Sequence, residues 1–522
     1  MAANVTRGSR ADTVIPYVKP PKDLAWSTHA RTKVVSEAVR LAFGFTKCTP
    51  EQATIRTALV DRRHDALVQA KTGTGKTLAY LTAALDAVLN RSIASEAKSA
   101  IPVLIVVPTR ELAEQVFVEG KKLVDEIPGV TMALMTSGGS EKFQEKLISD
   151  RKEGQKILVG TPGRILAATK WLPNGQPGIL GNSRLFWVHT LIIDEADRML
   201  DPMFQTQVFE ILKHMPSHPR VVRTQLFSAT YKPELIQFAK SVLRPGFTAV
   251  STIPATDPGT VHSTRHLYAV APMAAHPALL HALLVRGHRE VHERSLGMVG
   301  LKVMVFLPTV RMTELYHALF LRIHESDPEG DLPPPYQLHA SLSSSARDAN
   351  ARGFRNATRG VLFTSDVSAR GVHYPGVQIV VQIGAPASRE AYVHRVGRTG
   401  RGTDATAAAP GSDVAHGGSV GLLLLSPAER AAVLEMLALD LPLVRADNVN
   451  GCIDQLGVGD SVPWNGSKSA REVKHAVSKE AAGLNQKQGL LQDAYLATLG
   501  HCTVFSFFLF LAPRTYNQIT IR

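Results

Sequence analysis

Asp194-Glu195-Ala196-Asp197 follow an apolar run, Thr190-Leu191-Ile192-Ile193. That run is short, continuous and β-branched, so it reads as a buried strand of a parallel sheet. An acidic pair leaving the carboxyl end of such a strand suits one task well: holding a hydrated Mg²⁺ beside a nucleoside triphosphate. A solvated acidic turn has the same composition, and the residues upstream decide between the two. Ala70-Lys71-Thr72-Gly73-Thr74-Gly75-Lys76-Thr77 lies between the apolar stretch Ala66-Leu67-Val68 and the helical pattern Leu78-Ala79-Tyr80-Leu81. Strand, glycine-rich loop and helix in that order form a P-loop. Gly73 and Gly75 let backbone N–H groups approach phosphate, and the helix N-terminus adds positive potential. Lys76 would reach the β- and γ-phosphates, and Thr77 would offer its hydroxyl to Mg²⁺. Ala70 stands where the first glycine is usual, a one-residue departure from the strict pattern.

Other short segments follow strand ends, where open α/β sheets bind ligands. They are Pro108-Thr109-Arg110-Glu111-Leu112, Ser137-Gly138-Gly139 and Thr161-Pro162-Gly163-Arg164. Each offers hydroxyls, an arginine or bare backbone N–H groups, which touch phosphate and sugar oxygens without reading bases. Each alone is equally at home as a turn or a helix cap; three in one block favour the ligand reading. Ser228-Ala229-Thr230 ends a further strand; its hydroxyls would bond Asp197, or simply cap a helix beginning near Lys232. Gly44-Phe45-Thr46-Lys47-Cys48-Thr49-Pro50-Glu51-Gln52 reads as an adenine pocket. Gln52 would pair with adenine N6 and N7 and reject guanine, while Phe45 stacks on the base. In the second half, His394-Arg395-Val396-Gly397-Arg398-Thr399-Gly400-Arg401 places Arg398 and Arg401 three apart, on one face of a helix. They suit arginine fingers on a γ-phosphoryl group, each such finger raising the rate ~10³–10⁵-fold.

These residues require a particular scaffold. The chain has 522 residues, 44% of them hydrophobic, enough for two to four domains. Strand-like runs at 103–107, 157–159, 190–193 and 225–227 alternate with helical patterns such as 113–123 and 204–214, giving one lobe over residues 26–250. A linker of prolines, glycine and small polar residues covers 251–262. Strand-like runs at 302–307, 361–363, 378–382 and 420–425 give a second lobe over 263–437, with a flexible insertion at 402–418. A basic helical extension is expected over 438–500. Residues 501–522 form an atypical hydrophobic tail, either a buried terminal strand or a misassigned end; at Val504–Ala512 it is too short for the ~20 residues of a membrane span. Residues 1–25 read as a basic arm, either disordered or a targeting segment. The net charge of +13 favours a polyanion as partner. Three distant cysteines without CxxC spacing point to a reducing compartment or the mitochondrial matrix.

Taken in order over about residues 26 to 437, this motif series resembles the DEAD-box family of ATP-dependent RNA helicases, in helicase superfamily two. The resemblance implies an α/β fold of two tandem RecA-like parallel-sheet lobes with a cleft between them. It implies ATP and Mg²⁺ as ligands, RNA held mainly by its backbone, no membrane, and a monomer. Lys76, Asp194, Glu195, Arg398 and Arg401 are then the catalytic set. Glu195 activates the attacking water, and Asp194 holds Mg²⁺ through waters. Asp197, Ser228, Thr230 and His394 couple the lobes. In the second lobe Arg347, Thr364 and Arg370 match positions that hold RNA or link it to the nucleotide. Three positions depart from the family pattern: Ser344, His373 and Gly384-Ala385-Pro386. The last, with the basic tail, is similar to the mitochondrial splicing-helicase subgroup of fungi. An ATP-dependent RNA clamp with little unwinding is the alternative function, because clamping and unwinding share one site. A DNA-translocating motor fits the Phe45–Gln52, Thr109 and Thr161 motifs poorly.

Overall fold

In a computed structural model the chain divides into two compact units, Met1–Gly259 and Thr260–Arg522. The structure describes residues 15–30, 32–59, 64–71, 73–89, 101–136, 155–169, 180, 185, 188–215, 222–230, 233–253, 264–295, 297, 299–328, 330–365, 374–399, 419–437 and 443–446.

The first unit is a seven-stranded parallel sheet. Its strands are β1 (Ala66–Gln69), β2 (Val103–Val106), β3 (Val130–Met135), β4 (Gln155–Gly160), β5 (Thr190–Ile193), β6 (Arg223–Ser228) and β7 (Thr248–Ser251), in the spatial order β3-β4-β2-β5-β6-β1-β7. Side chains alternate across it. Val68, Val103, Ile105, Val159, Ile192 and Phe227 pack on the layer that contains Val39, Ile55, Leu81 and Val116. Leu67, Leu104, Leu158, Leu191, Ile193 and Leu226 pack on Ile165, Val208, Ile211 and Phe238. Both faces are buried, which is why the strands read as unbroken apolar runs rather than alternating ones.

The second unit repeats the plan. Its strands are β8 (Arg265–Val270), β9 (Lys302–Phe306), β10 (Pro335–Leu338), β11 (Gly360–Thr364), β12 (Ile379–Ile383), β13 (Val420–Leu425) and β14 (Leu443–Arg445), in the order β10-β11-β9-β12-β13-β8-β14. Strand for strand this is the same permutation as in the first unit. Val303, Val305, Val361, Phe363 and Val381 pack on Leu280, Leu284, Tyr316 and Phe320. On the other face Met304, Phe306 and Val380 meet Phe354 and Tyr374.

Three sequence expectations change. Residues 15–25 do not form a loose arm: Ser251 donates to the Pro16 carbonyl and Val18 to the Ser251 carbonyl, each at 2.9 Å. Ile15 joins the core. The exposed edge of β7 supplies the unpaired backbone groups that fix this segment. The linker also begins later than residue 251, since Ser251 is the last residue of β7 and Thr252 donates to the Gln69 carbonyl at 2.9 Å. The second sheet reaches past residue 437, because β14 pairs with β8 inside the expected helical extension. The insertion at 402–418 and the tail at 501–522 lie outside the described residues. Among the described residues no helix is long and apolar enough to cross a membrane.

The second unit packs several histidines into buried or half-buried positions. Burial holds His276, His281, His288 and His339 below the ordinary imidazole value and pushes His317 down to about 4. A base depressed in the folded state favours folding while it is neutral. That contribution is complete above about pH 6.5 and is lost as pH falls toward the folded values. Between pH 7 and pH 5 the second unit should therefore lose stability. Hydrogen exchange at the two pH values, corrected for intrinsic rates, should show protection falling more over 265–364 than over 66–251. Equal loss in both regions would contradict this.

Candidate active site

In the first unit the strand order places β6 between β1 and β5, so the P-loop and Asp194-Glu195 leave the sheet on either side of the β6 end. After β1 the chain turns through Gly73 and Gly75, both left-handed at φ +83° and +82°, into the helix Lys76–Leu89. Thr74 donates its hydroxyl to the Lys71 carbonyl at 3.0 Å, closing the loop on itself. Thr72 lies outside the described residues.

The helix Pro50–Ala58 grips this loop. Thr49 caps it, accepting from the Gln52 N–H at 3.2 Å, while Gln52 Oε1 accepts from the Thr49 N–H at 2.9 Å. That reciprocal pair is a capping box. Both residues then reach the P-loop: Thr49 Oγ1 donates to the Thr74 carbonyl at 3.1 Å and Gln52 Nε2 to the Gly75 carbonyl at 3.2 Å. Gln52, expected to read the base, is thus buried and also fastens the phosphate loop. Its amide retains one lone pair and one N–H beyond these bonds. Thr49 was visible in the sequence, but its contact with Thr74 was not. Phe45 is 49% exposed and stacked on Phe43 at 5.8 Å, an aromatic face open to a planar ligand. The helix is anchored below by the buried pair Arg56–Asp86. Arg56 also donates to the His29 carbonyl, and Asp86 accepts from the Thr32 N–H and hydroxyl.

Asp194 follows β5, its N–H held by the Val106 carbonyl at 3.0 Å, and the next N–H but one, on Ala196, donates to the Phe227 carbonyl at 2.8 Å. The acidic turn is therefore pinned to both neighbouring strands. Glu195 sits between these bonds at φ +51°, a left-handed conformation that disfavours a side chain and marks stored strain. Its N–H donates to Asp194 Oδ1 at 2.8 Å. Burial raises the Asp194 carboxyl above its ordinary range; the Lys76 charge and the Glu195 N–H pull it back. Such a carboxylate is short of positive charge, which a divalent cation supplies. With the Thr77 hydroxyl on the adjacent helix face and the glycine loop beside it, the donor set fits hydrated Mg²⁺ with a triphosphate. Burial also pushes the Glu119 carboxyl up to about 7, with the Asp194 charge adding to the rise. Tyr80 and Glu119 do not stand out in the sequence, Tyr80 because it lies in an apolar helical run and Glu119 because it lies in an amphipathic one.

Asp197 accepts from the Thr230 hydroxyl at 3.2 Å, as expected. Ser228 does not share that bond: its hydroxyl donates to the Thr230 carbonyl at 2.9 Å and accepts the Thr230 N–H at 3.2 Å, shaping the turn that presents Thr230. Of the strand-end segments, Pro108 is buried and Thr109 caps the helix Arg110–Val124 through the Leu112 N–H at 3.3 Å. Arg110 is paired with Glu114 at 2.6 Å. The Thr161 carbonyl accepts the N–H groups of Arg164 and Ile165, and Arg164 is half-buried. Gly138 and Gly139 lie outside the described residues.

In the second unit Arg347 occupies the first turn of the helix Ser344–Asn356. Thr364 ends β11 with no exposed surface; its hydroxyl bonds the Leu338 carbonyl at 2.8 Å, so here it ties β10 to β11 rather than facing a ligand. Gly384 is left-handed at φ +77°, and a Cβ there would stand 3.3 Å from Glu429 Oε1, the oxygen that accepts the Ala385 N–H. The glycine at this departure from the family pattern is thus required by the local backbone. The helix Arg389–Val396 stops before Arg398, which corrects the single-face reading of Arg398 and Arg401. Two 3.1 and 3.0 Å turn bonds, Arg398 N–H to Arg395 and Thr399 N–H to Val396, replace the helical pattern. Arg398 is buried and its Nε donates to the carbonyl of buried His394 at 3.2 Å. Arg370, His373 and Arg401 lie outside the described residues.

Comparison with known proteins agrees with this geometry. The DEAD/DEAH box helicase family model matches residues 49–238, and the helicase conserved C-terminal domain matches residues 290–403. The chain belongs to the DEAD-box family of helicases. It is 32% identical over 436 residues to DEAD-box ATP-dependent RNA helicase 26 of Oryza sativa subsp. japonica, covering 83% of this chain and 72% of that protein. It is 34% identical over 358 residues to the mitochondrial ATP-dependent RNA helicase mss116 of Aspergillus oryzae, covering 68% of this chain and 53% of that one. The chain therefore spans about half the length of that fungal relative. In fold it is similar to a solved structure of the DEAD-box helicase Mss116 bound to ssRNA and UDP-BeF, with TM-score 0.71, 21% identity, and coverage of 93% of this chain and 89% of that one.

Gly75 gives a sharp test of the loop. A Cβ there would lie 2.2 Å from Gln52 Nε2, on a backbone that side chains avoid. Gly75→Ala should weaken binding of a fluorescent ATP analogue at least tenfold and lower the thermal midpoint, with affinity measured well below that midpoint. Unaltered affinity would show that the grip on Gly75 is dispensable.

Proposed function

We propose that the protein couples ATP hydrolysis to local opening of RNA duplexes or remodelling of ribonucleoprotein, with Mg²⁺ as cofactor. The observation that carries this reading is the buried Asp194 carboxyl, opposed by the Lys76 charge, beside a glycine loop gripped by Thr49 and Gln52. Family membership and relatives named ATP-dependent RNA helicases support it.

Phe45 stacks on adenine, and the remaining capacity of the Gln52 amide selects its N6 and N7 edge. The N–H groups around Gly73, Thr74 and Gly75, with Thr72, cradle the phosphates, and Lys76 reaches toward the γ-phosphoryl group. Held by Thr77 and, through water, by Asp194, Mg²⁺ would neutralise charge on the phosphates. Glu195 orients water for in-line attack, its left-handed backbone fixing where the carboxylate starts. Arg398 and Arg401 of the second unit stabilise charge on the transferring group. For Arg398 this requires a change from its present contacts, the His394 carbonyl among them. RNA is held by backbone contacts from Pro108, Thr109, Arg110, Gly138, Gly139, Thr161 and Arg164 on one unit and Arg347, Thr364 and Arg370 on the other. Thr364 takes part through its position at the strand end, since its hydroxyl is already engaged. Asp197, Ser228, Thr230 and His394 link nucleotide state to RNA grip. Binding of this kind has little sequence preference and weakens steeply with salt. The protein acts as a monomer, and relatives named mitochondrial support the mitochondrial matrix as its compartment.

Two outcomes are expected in a steady-state ATPase assay with single-stranded RNA. Lys76→Ala and Glu195→Gln should each lower RNA-stimulated turnover by at least ~10²-fold, the scale of losing a positioned catalytic group. Turnover near wild type in either would remove the assignment. ATP should be strongly preferred over GTP, and equal use of the two would argue against the adenine pocket. A strand-displacement assay run beside ATP-dependent RNA retention separates unwinding from clamping.

A further inference from the structure

Tyr80 stands one helical turn beyond Lys76 and Thr77 on the helix Lys76–Leu89, so the three side chains share a face. Its ring is fully buried. Phe227, at the end of β6, holds it at 5.2 Å with a 53° tilt. Its hydroxyl is sealed from solvent and has no described atom in good hydrogen-bond geometry. Two groups nevertheless adjoin it: the Thr77 hydroxyl and the Asp194 carboxyl. A phenylalanine would fill the same space without the cost of an unsatisfied buried hydroxyl. The hydroxyl is accounted for if it gains partners when the site is loaded.

The chemistry of its neighbours says which partners. Asp194 Oδ1 is already engaged by the Glu195 N–H, on one side of the carboxylate. A donor on the helix side would fix the plane of the group. Thr77, when its lone pairs face a cation, must turn its proton elsewhere and needs an acceptor. A phenol satisfies both demands, since it donates once and accepts as well.

We infer that Tyr80 is a positioning residue for the metal site, accepting from the Thr77 hydroxyl and donating to the Asp194 carboxylate, so that both groups are aimed at the cation. The inference rests on the proposed nucleotide site. Neither Tyr80 nor Phe227 needs to touch the metal or the nucleotide.

Tyr80→Phe removes the oxygen and keeps the ring. Equilibrium binding of a fluorescent, non-hydrolysable ATP analogue to the full chain should be measured in EDTA and across a Mg²⁺ titration. Asp194→Asn serves as the reference for loss of the metal carboxylate. Wild type should bind more tightly with Mg²⁺. Tyr80→Phe should need about tenfold more Mg²⁺ for the same gain, the scale of one hydrogen bond to a charged group. Its affinity in EDTA and its thermal midpoint should match or exceed wild type. A Mg²⁺ midpoint equal to wild type, while Asp194→Asn abolishes the gain, would overturn the role of Tyr80 and leave the site intact. Equal weakening in EDTA and Mg²⁺ would also overturn it, by showing a packing role. A wild type with no Mg²⁺-dependent gain would instead bring down the metal site itself, and the inference with it.

Discussion

The backbone bonds that pin the acidic turn after β5 and the glycine loop after β1 are the constraint on which the site of the first unit depends. Burial works against the Asp194 charge, and Lys76 works for it. Neither side chain could be placed so without the strand order that separates their strands by one. The surrounding bonds all limit how far the two can drift. The Val106 and Phe227 carbonyls fix the acidic turn, and Thr49 and Gln52 fix the glycine loop.

The two units share one topology but present different chemistry at equivalent strand ends. β1 leads into glycines and Lys76. Its counterpart β8 leads into Ala271-Pro272 and a short turn at Met273–Ala275, with neither glycine nor lysine. The second unit therefore has no phosphate loop at the matching point. At β2 and β9 the correspondence is close: Pro108-Thr109 and Pro308-Thr309 each follow the strand, and each threonine caps the next helix, at 3.3 and 3.1 Å. Thr109 and Thr309 thus share a structural duty that belongs to the fold, and any ligand contact is added to it.

Much of this was legible because the informative residues were forced types. Gly75 has no substitute at its φ beside Gln52, and the apolar runs of β2, β5 and β13 declare strands buried on both faces. The Asp197–Thr230 contact could be anticipated because both ends of adjacent strands were recognisable. The edge strands were harder to see. β7 and β10 are short and partly exposed, so Thr248-Ala249-Val250-Ser251 and Pro335-Tyr336-Gln337-Leu338 carry too few apolar residues to stand out. The helix that ends at Val396 reads as longer in the sequence because three arginines in seven residues mask the turn at Gly397. Tyr80 was hidden for the opposite reason: an aromatic in an apolar helix looks like core, and its ring is core, while its oxygen faces the site.

The first strand of each sheet is closed by the last strands made. β1 lies between β6 and β7, and β8 lies between β13 and β14. Arg223 donates to the carbonyl of His64, 159 positions earlier. A ribosome releasing roughly 5–20 residues per second leaves that carbonyl waiting for roughly 8–30 s. Until β6 and β7 emerge, the nascent chain has a glycine loop with no sheet behind it, and its apolar β1 is open to wrong partners. Ile15 and Pro16 wait longer still, because their docking edge is Ser251. Assembly of the first unit is therefore a late, concerted event during translation, and a nascent fragment ending before β6 would have no formed site in which to hold nucleotide.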